Sequence, residues 1–173
     1  MSSVVISGDT SGSITLSAPA VSGTNTITLP ASTGTVMVNG PAFSTYLATN
    51  QTGISTGTFT KVLFDTEIFD TNNNFASSRF TPTVAGYYQV NSCLNVGGTI
   101  TGSLISIFKN GNRFIDGTFF NAVSLNVITV SGLVYCNGST DYIEIYGYLT
   151  GTGLQFSGSS VGTVFNGSMV RSA

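Results

Sequence analysis

The feature that most constrains the fold is a two-residue alternation of apolar and polar side chains that begins after Gly86. Tyr88, Val90, Leu94 and Val96 fall on one side of an extended chain, and Gln89, Asn91, Cys93 and Asn95 fall on the other. Because successive side chains of a β-strand point to opposite faces, this pattern predicts a strand with one buried face.

A turn is predicted immediately before this strand. Pro82 has a fixed φ and no N–H, so it fits the point where a preceding strand ends. Gly86 can adopt a positive φ and is expected to close the turn. Phe80 and Tyr88 flank the turn, and we expect both side chains to be buried as the core of this motif.

Short apolar segments separated by turn residues continue from Pro41 to the end of the chain, without a sustained helical period. Strands are predicted at 42–47, 59–69, 103–108, 125–135, 141–148 and 164–170. Many short strands at this spacing indicate an all-β sandwich or barrel.

Two of these strands, 104–108 and 125–135, are apolar on both faces. In an isolated sandwich one face of each strand should be polar. The second face therefore packs either on another subunit or under a loop of the same chain, and the pattern leaves both explanations open.

Residues 1–40 form a separate segment. Ser13-Ile14-Thr15-Leu16 returns as Thr26-Ile27-Thr28-Leu29, and Val36-Met37-Val38 closes the segment. One copy of this β pattern buries too little apolar area to offset its ordering entropy. The segment is either a flexible linker or an extended β segment that intertwines with other copies around a shared core, and the repeat favours the second interpretation.

Composition argues against several partners. Charged residues make up only 7% of the chain, and its five basic residues are widely spread, so nucleic acid is not an expected partner. No apolar stretch approaches the roughly 20 residues of a membrane-spanning helix. The first residues carry neither the basic region nor the apolar region of a secretory signal.

A catalytic function is not expected. The chain has no histidine, which excludes a Ser-His-Asp triad. Its nearest acidic pair, Asp65 and Glu67, is more typical of a solvated strand face than of a catalytic site. We therefore predict no catalytic residue and no cofactor.

No metal site is expected either. Asp70-x-Asn72-x-Asn74 matches the start of a calcium-binding loop but lacks the later glycine and glutamate, so an asparagine-rich turn is the favoured interpretation. Cys93 and Cys136 lie in predicted strands and are expected to be free thiols.

The motif Phe80-Thr81-Pro82-x-x-x-Gly86-Tyr87-Tyr88 resembles the signature of the complement globular-head domain, in the tumour necrosis factor superfamily. Lys109-Asn110-Gly111, a strand opening at Asp141 and the closing Phe165-Asn166-Gly167-Ser168-Met169 follow in that family's order. The resemblance covers residues 41–173. It implies a ten-strand jelly roll that forms homotrimers, with the first and last strands near the three-fold axis at Phe43, Tyr46, Phe165 and Met169.

The N-terminal segment resembles a different group. Ser-Gly-Ser-Ile-Thr-Leu-x-Ala-Pro-Ala and Thr-Leu-Pro-Ala-x-Thr-Gly-Thr-Val are similar to the bases of bacteriophage tail-fibre and virion surface proteins. Animal members of the globular-head family usually carry a collagen stalk and a signal peptide, and this sequence shows neither.

Together the two resemblances imply a non-enzymatic, homotrimeric virion protein. Residues 1–40 would anchor it to other virion proteins, and residues 41–173 would project from the particle. One hypothesis is a short tail fibre or host-recognition tip that contacts a glycan or protein of the host surface. The alternatives are a capsid decoration or head fibre and, with less support, a carbohydrate-active enzyme.

Overall fold

The computed structural model describes residues 3–7, 10–17, 24, 40–121 and 127–173. The chain divides into two compact units, Met1–Gly34 and Thr35–Ala173. Across the described residues every regular element is a β-strand, thirteen in number, so the all-β prediction is confirmed. This part of the chain holds no helix that is long and apolar enough to cross a membrane.

In the first unit, β1 (Ser3–Ser7) pairs antiparallel with β2 (Ser13–Ser17). The strand predicted at Ser13 to Leu16 is therefore confirmed. The predicted strands at Thr26 to Leu29 and at Val36 to Val38 lie outside the described residues. Whether residues 1–40 intertwine with other copies remains a prediction.

The second unit contains eleven of the described strands. They are β3 (Ala42–Leu47), β4 (Gln51–Thr52), β5 (Thr58–Lys61), β6 (Thr66–Asp70), β7 (Phe75–Ala76), β8 (Arg79–Phe80), β9 (Ala85–Lys109), β10 (Asn112–Phe120), β11 (Val127–Asn137), β12 (Ile143–Phe156) and β13 (Ser159–Ser172). The single strand predicted at 59–69 is two strands, β5 and β6. The start of the strand predicted at 125–135 lies outside the described residues.

These strands form two antiparallel sheets. Sheet I has the order β6-β3-β13-β9-β11, and sheet II consists of β10, the second half of β9, β12 and the short strands that flank β12. We expected separate strands around 86–96 and 103–108. Instead β9 runs unbroken for 25 residues and takes part in both sheets.

The core lies between the sheets. The alternation in the first half of β9 directs Tyr88, Val90, Leu94 and Val96 inward, as predicted. The rings of Phe43 and Phe80 stack with centroids 4.2 Å apart, and Tyr88 meets Phe80 edge-on at 5.4 Å. The Tyr88 hydroxyl donates to the Val84 carbonyl at 2.7 Å, which satisfies the one polar atom of this buried ring.

Gly86 has a different role from the predicted one. It lies in β9 and not in the turn, and its φ is not among the positive values that the structure contains. Glycine is required here because β13 approaches closely. A Cβ at this position would lie 2.5 Å from the Arg171 carbonyl oxygen and 2.9 Å from the Met169 Cε atom.

The segment 104–108 is buried on both faces, and its own chain supplies the cover. Ile105 and Ile107 face the core, while Phe108 on the other face stacks against Tyr146 at 4.0 Å and contacts the Phe59 ring at 5.5 Å. Of the two explanations left open for this strand, the structure therefore supports cover within the same chain.

Candidate functional site

The outer face of sheet I carries a set of exposed apolar side chains. In β11 the inner residues Ile128, Val130 and Val134 are buried, so the alternate residues point outward. Apolar side chains that are 39–52% exposed on this sheet are Phe69, Tyr87, Val127, Leu133, Tyr135 and Val170. The rings of Tyr87 and Tyr135 lie side by side with centroids 5.4 Å apart. A group of exposed apolar side chains on one sheet is typical of a protein-contact surface.

The predicted trimer-contact residues lie in β3 and β13, but most of their side chains do not face outward. Phe43 in β3, and Phe165 and Met169 in β13, point into the core and are buried. Tyr46 lies on the outer face, paired with Val164. The prediction of a trimer contact through these strands remains, but Phe43, Phe165 and Met169 have almost no surface to offer a partner.

A row of polar side chains crosses the centre of this outer face. The Gln89 amide donates to the Ser131 hydroxyl at 2.9 Å, and that hydroxyl donates to the Asn91 amide oxygen at 2.8 Å. The Asn91 amide in turn lies 3.3 Å from the Asn166 amide oxygen. The row joins β11, β9 and β13 through side chains, in addition to the backbone ladder.

Beside this row lies a groove of about 550 Å³. Its polar lining consists of amides, hydroxyls, one thiol and one carboxylate, from Asn91, Ser92, Cys93, Asp116, Thr118, Thr129, Ser131 and Asn166. Asp116 is already paired with Arg113 and accepts the Ser106 hydroxyl at 2.8 Å. The hydrogen bond from Arg113 holds the pKa of Asp116 below its usual range, so Asp116 lines the groove as an ionised carboxylate whose charge is paired with Arg113.

A buried ionic cluster lies on the outer side of sheet II. Glu144 in β12 is only 2% exposed, and its Oε1 atom accepts from Lys61 Nζ at 2.7 Å and from Arg79 Nε at 2.9 Å. The Arg79 guanidinium also lies 3.7 Å from the centre of the Tyr142 ring. The cluster joins β12 to β5 and β8. Sequence analysis missed it because Lys61 and Arg79 lie far from Glu144 along the chain.

A second cluster brings together two of the motifs on which the globular-head resemblance rests, Lys109-Asn110-Gly111 and Asp141. Asn110 and Gly111 form the turn between β9 and β10 with φ of 53° and 76°, as their Asn-Gly sequence favours. Asp141 accepts from the Asn110 amide at 2.7 Å and from Lys109 Nζ at 3.0 Å. The hydrogen bond from Asn110, with the contribution of Lys109, lowers the pKa of Asp141. The motif residues are thus structural partners.

The acidic residues near β6 stabilise local backbone. Burial alone would raise the pKa of Asp65, but hydrogen bonds from the Ala48 N–H and from Thr66 and Thr49 lower it overall. Asp70 accepts the Phe75 N–H at 2.7 Å, next to Asn73 with φ of 53°. Residues 71–73 form a turn, as the asparagine-rich sequence predicted. The described residues contain no group of three or more His, Cys, Asp or Glu side chains placed to hold a metal ion.

The two cysteines are free thiols. Cys93 lies half-buried on the outer side of β9, and Cys136 is fully buried near the end of β11. Burial is the main cause that raises the pKa of Cys136 to about 11. A thiol with such a pKa is poorly nucleophilic at neutral pH.

Comparison with solved structures identifies the fold. Murine APRIL is 12% identical with a TM-score of 0.59, and the match covers 76% of this chain and 100% of that chain. The globular domain of zebrafish complement 1qA is 19% identical with a TM-score of 0.55, over 77% of this chain and 99% of that chain. Eiger TNF from S. frugiperda is 8% identical with a TM-score of 0.54, over 78% and 94%. Neither a family model nor a curated protein matched the sequence.

These likenesses show that the chain has the jelly-roll fold of tumour necrosis factor and complement globular-head domains, as the motif around Phe80 and Tyr88 predicted. At such low identities the likeness establishes the fold alone.

Proposed function

We propose that this protein is a non-enzymatic structural protein that acts as a homotrimer on the surface of a bacteriophage particle. In this proposal it is a short tail fibre or host-recognition tip. Residues 1–40 attach it to other virion proteins, and the jelly roll of residues 41–173 projects outward toward a glycan or protein of the host.

The trimer is supported chiefly by the outer face of sheet I. Leu133, Tyr135 and Tyr87 expose apolar area side by side, and the polar row from Gln89 to Asn166 crosses the same face. Subunit interfaces combine such an apolar surface with hydrogen-bonding groups that set the orientation. The family that the Phe80 to Tyr88 motif resembles forms trimers, so both arguments favour the same assembly.

The structure also changes which residues we assign to the contact. Tyr46 remains a candidate because it faces outward from β3. Leu133 and Tyr135 replace Phe43, Phe165 and Met169, whose side chains fill the core. The proposed contact therefore extends across sheet I toward β11 and is not confined to the first and last strands.

The particle assignment is supported by the sequence of residues 1–40, through its similarity to the bases of phage fibres. Only 7% of the residues are charged, so contacts of this protein with other virion proteins would be formed mainly by uncharged side chains. A role in capsid decoration would use the same trimer and the same anchoring segment. Position on the particle therefore separates the two hypotheses.

Two measurements test the proposal. Multi-angle light scattering of the purified full chain should give three times the mass of one chain at micromolar concentration, and a monomer would reject the trimer. Gold-labelled antibodies against the jelly roll, viewed on particles by electron microscopy, should mark the tail. Label spread over the head would favour decoration, and no label on any particle would reject a virion role.

A further inference from the structure

The hairpin formed by β1 and β2 has one apolar face. Its register pairs Val4 with Leu16 and Ile6 with Ile14, so these four side chains lie on the same side of the two-stranded sheet. Each of them is more than half exposed, with values between 54% and 66%.

The opposite face of the hairpin is different in chemistry. It carries the hydroxyls of Ser7, Ser13 and Thr15 together with Val5. A two-stranded hairpin is at best marginally stable in water by itself. Four exposed aliphatic side chains lie on one face, whereas Val5, 58% exposed, is the single aliphatic side chain among the hydroxyls of the other, so the first face has the greater need of a cover.

We propose that the cover is the same face of two further copies of this chain. Three hairpins then enclose one apolar core around the three-fold axis, and their hydroxyl faces meet the solvent. This inference rests on the proposed trimer and extends it by naming the residues and the partner of the N-terminal unit.

The absence of charged residues around β2 supports a contact between identical hairpins. From Thr10 to Thr60 the sequence contains no Asp, Glu, Lys or Arg, so three copies of β2 can approach without repulsion between like charges. Three of the four apolar residues, Val4, Ile6 and Ile14, are β-branched, and side chains of this kind pack well across a pleated surface.

The size of the face also favours copies of the same chain over a separate protein. Four side chains on each hairpin form a patch far smaller than the roughly 800 Å² that each partner buries in a stable independent complex. A patch of this size is sufficient when the copies are already tethered, because linkage makes the contact intramolecular and raises the effective concentration of the copies. Trimeric jelly rolls would provide that tether.

Disulfide trapping in the full chain tests this arrangement. In a Leu16→Cys variant the new thiols should lie close together near the axis, whereas in the matched Thr15→Cys variant they should point apart on the hydroxyl face. Cys93 and Cys136 remain in both variants, and the wild type serves as the blank. Mild oxidation should yield at least about tenfold more cross-linked dimer with Leu16→Cys than with Thr15→Cys, since a disulfide requires the two Cβ atoms to be close.

Light scattering on the same samples separates the possible failures. If the variants are trimers but Leu16→Cys cross-links no better than Thr15→Cys, the hairpin proposal is wrong and the trimer stands. If the wild type is a monomer, both proposals are wrong. Amide hydrogen exchange gives a second measurement: residues 4–7 and 13–16 should exchange more slowly in the wild-type trimer than in an Ile14→Asp variant. Equal exchange in the two would overturn the proposal.

Discussion

The side chain of Asn110 closes a ring of hydrogen bonds with Asp141, 31 residues further along the chain. Its amide donates to Asp141 Oδ1 at 2.7 Å, and its own oxygen accepts the N–H of Tyr142 at 2.9 Å. The turn between β9 and β10 is thereby joined to the start of β12. The stability of this connection depends on the ionisation of Asp141.

Acid should weaken the fold through this residue. The pKa of Asp141 is lowered in the folded state, so its ionised form contributes stability above the unfolded pKa of about 3.9 and loses it as the pH falls through the folded value. We expect Asp141→Asn to cost about 1–2 kcal/mol at pH 7 and to flatten the loss of stability below pH 4. Urea denaturation at pH 7 and pH 3 measures both effects. Asp116→Asn is the control. The ion pair between Asp116 and Arg113 is exposed, so we expect its loss to cost less than about 1 kcal/mol at pH 7.

Phe80→Ala should be strongly destabilising. Phe80 is fully buried between Phe43 and Tyr88, and its removal leaves a cavity that two neighbouring rings cannot fill. We expect a cost of about 3–5 kcal/mol in the free energy of unfolding. Phe119→Ala is the matched control, since Phe119 is largely exposed. A denaturation midpoint for Phe80→Ala that matches the control would contradict the assignment of the core.

Removal of the Glu144 charge should leave two cations without their partner. Glu144→Gln keeps the shape of the side chain but cannot neutralise Lys61 and Arg79. We expect a loss of about 2–3 kcal/mol, below the 3–5 kcal/mol of a fully buried pair, because both cations are partly exposed. Thermal unfolding provides the measurement, with the exposed Glu67→Gln as control. Equal stability of the two variants would show that the cluster contributes little.

A charge on the outer face of sheet I should break the trimer. Leu133 and Leu63 are both 52% exposed, but only Leu133 lies on the proposed contact surface. Leu133→Asp would bury an unpaired carboxylate in each of three contacts, and we expect it to give a monomer, whereas Leu63→Asp stays trimeric. Light scattering reports the mass, and circular dichroism confirms that both variants are folded. A folded, trimeric Leu133→Asp protein would exclude this face from the interface.

Cys136 should report on global unfolding. Because its pKa is about 11, only about one thiol in a thousand is ionised at pH 8, and the side chain is also fully buried. We expect a thiol reagent to modify Cys93 first and Cys136 only when denaturant unfolds the chain. Peptide mass spectrometry assigns the modified site. Rapid modification of Cys136 in buffer would mean that β11 opens locally.

The parts of the fold that could be predicted are those encoded by neighbours in sequence. The alternation after Gly86 gave the correct inner and outer faces of β9 because a strand fixes that relation over two residues. The Asn110-Gly111 turn could be predicted for the same reason, because the two residues favour a tight turn by themselves. The role of Gly86 could not be predicted in this way, since the close approach of β13 depends on residues more than eighty positions away.

The candidate site depended more heavily on long-range pairing. Which face of β13 meets the core is decided by its pairing with β3 and β9, so Phe165 and Met169 were assigned to the surface although they are buried. The cover over Phe108 and the partners of Glu144 likewise come from distant strands. Local periodicity contains no information about either contact.

The pairing of β3 with β13 also governs when the jelly roll can fold during synthesis. Ala42, at the start of the domain, lies opposite Ser168, and both halves of β9 take their partners from strands made after it. No nascent chain that stops short of β13 can complete sheet I, so the aromatic core stays open on the ribosome until translation of that strand ends. A domain with such non-local pairing folds slowly and exposes apolar segments on the way, which makes early chain termination a direct route to aggregation.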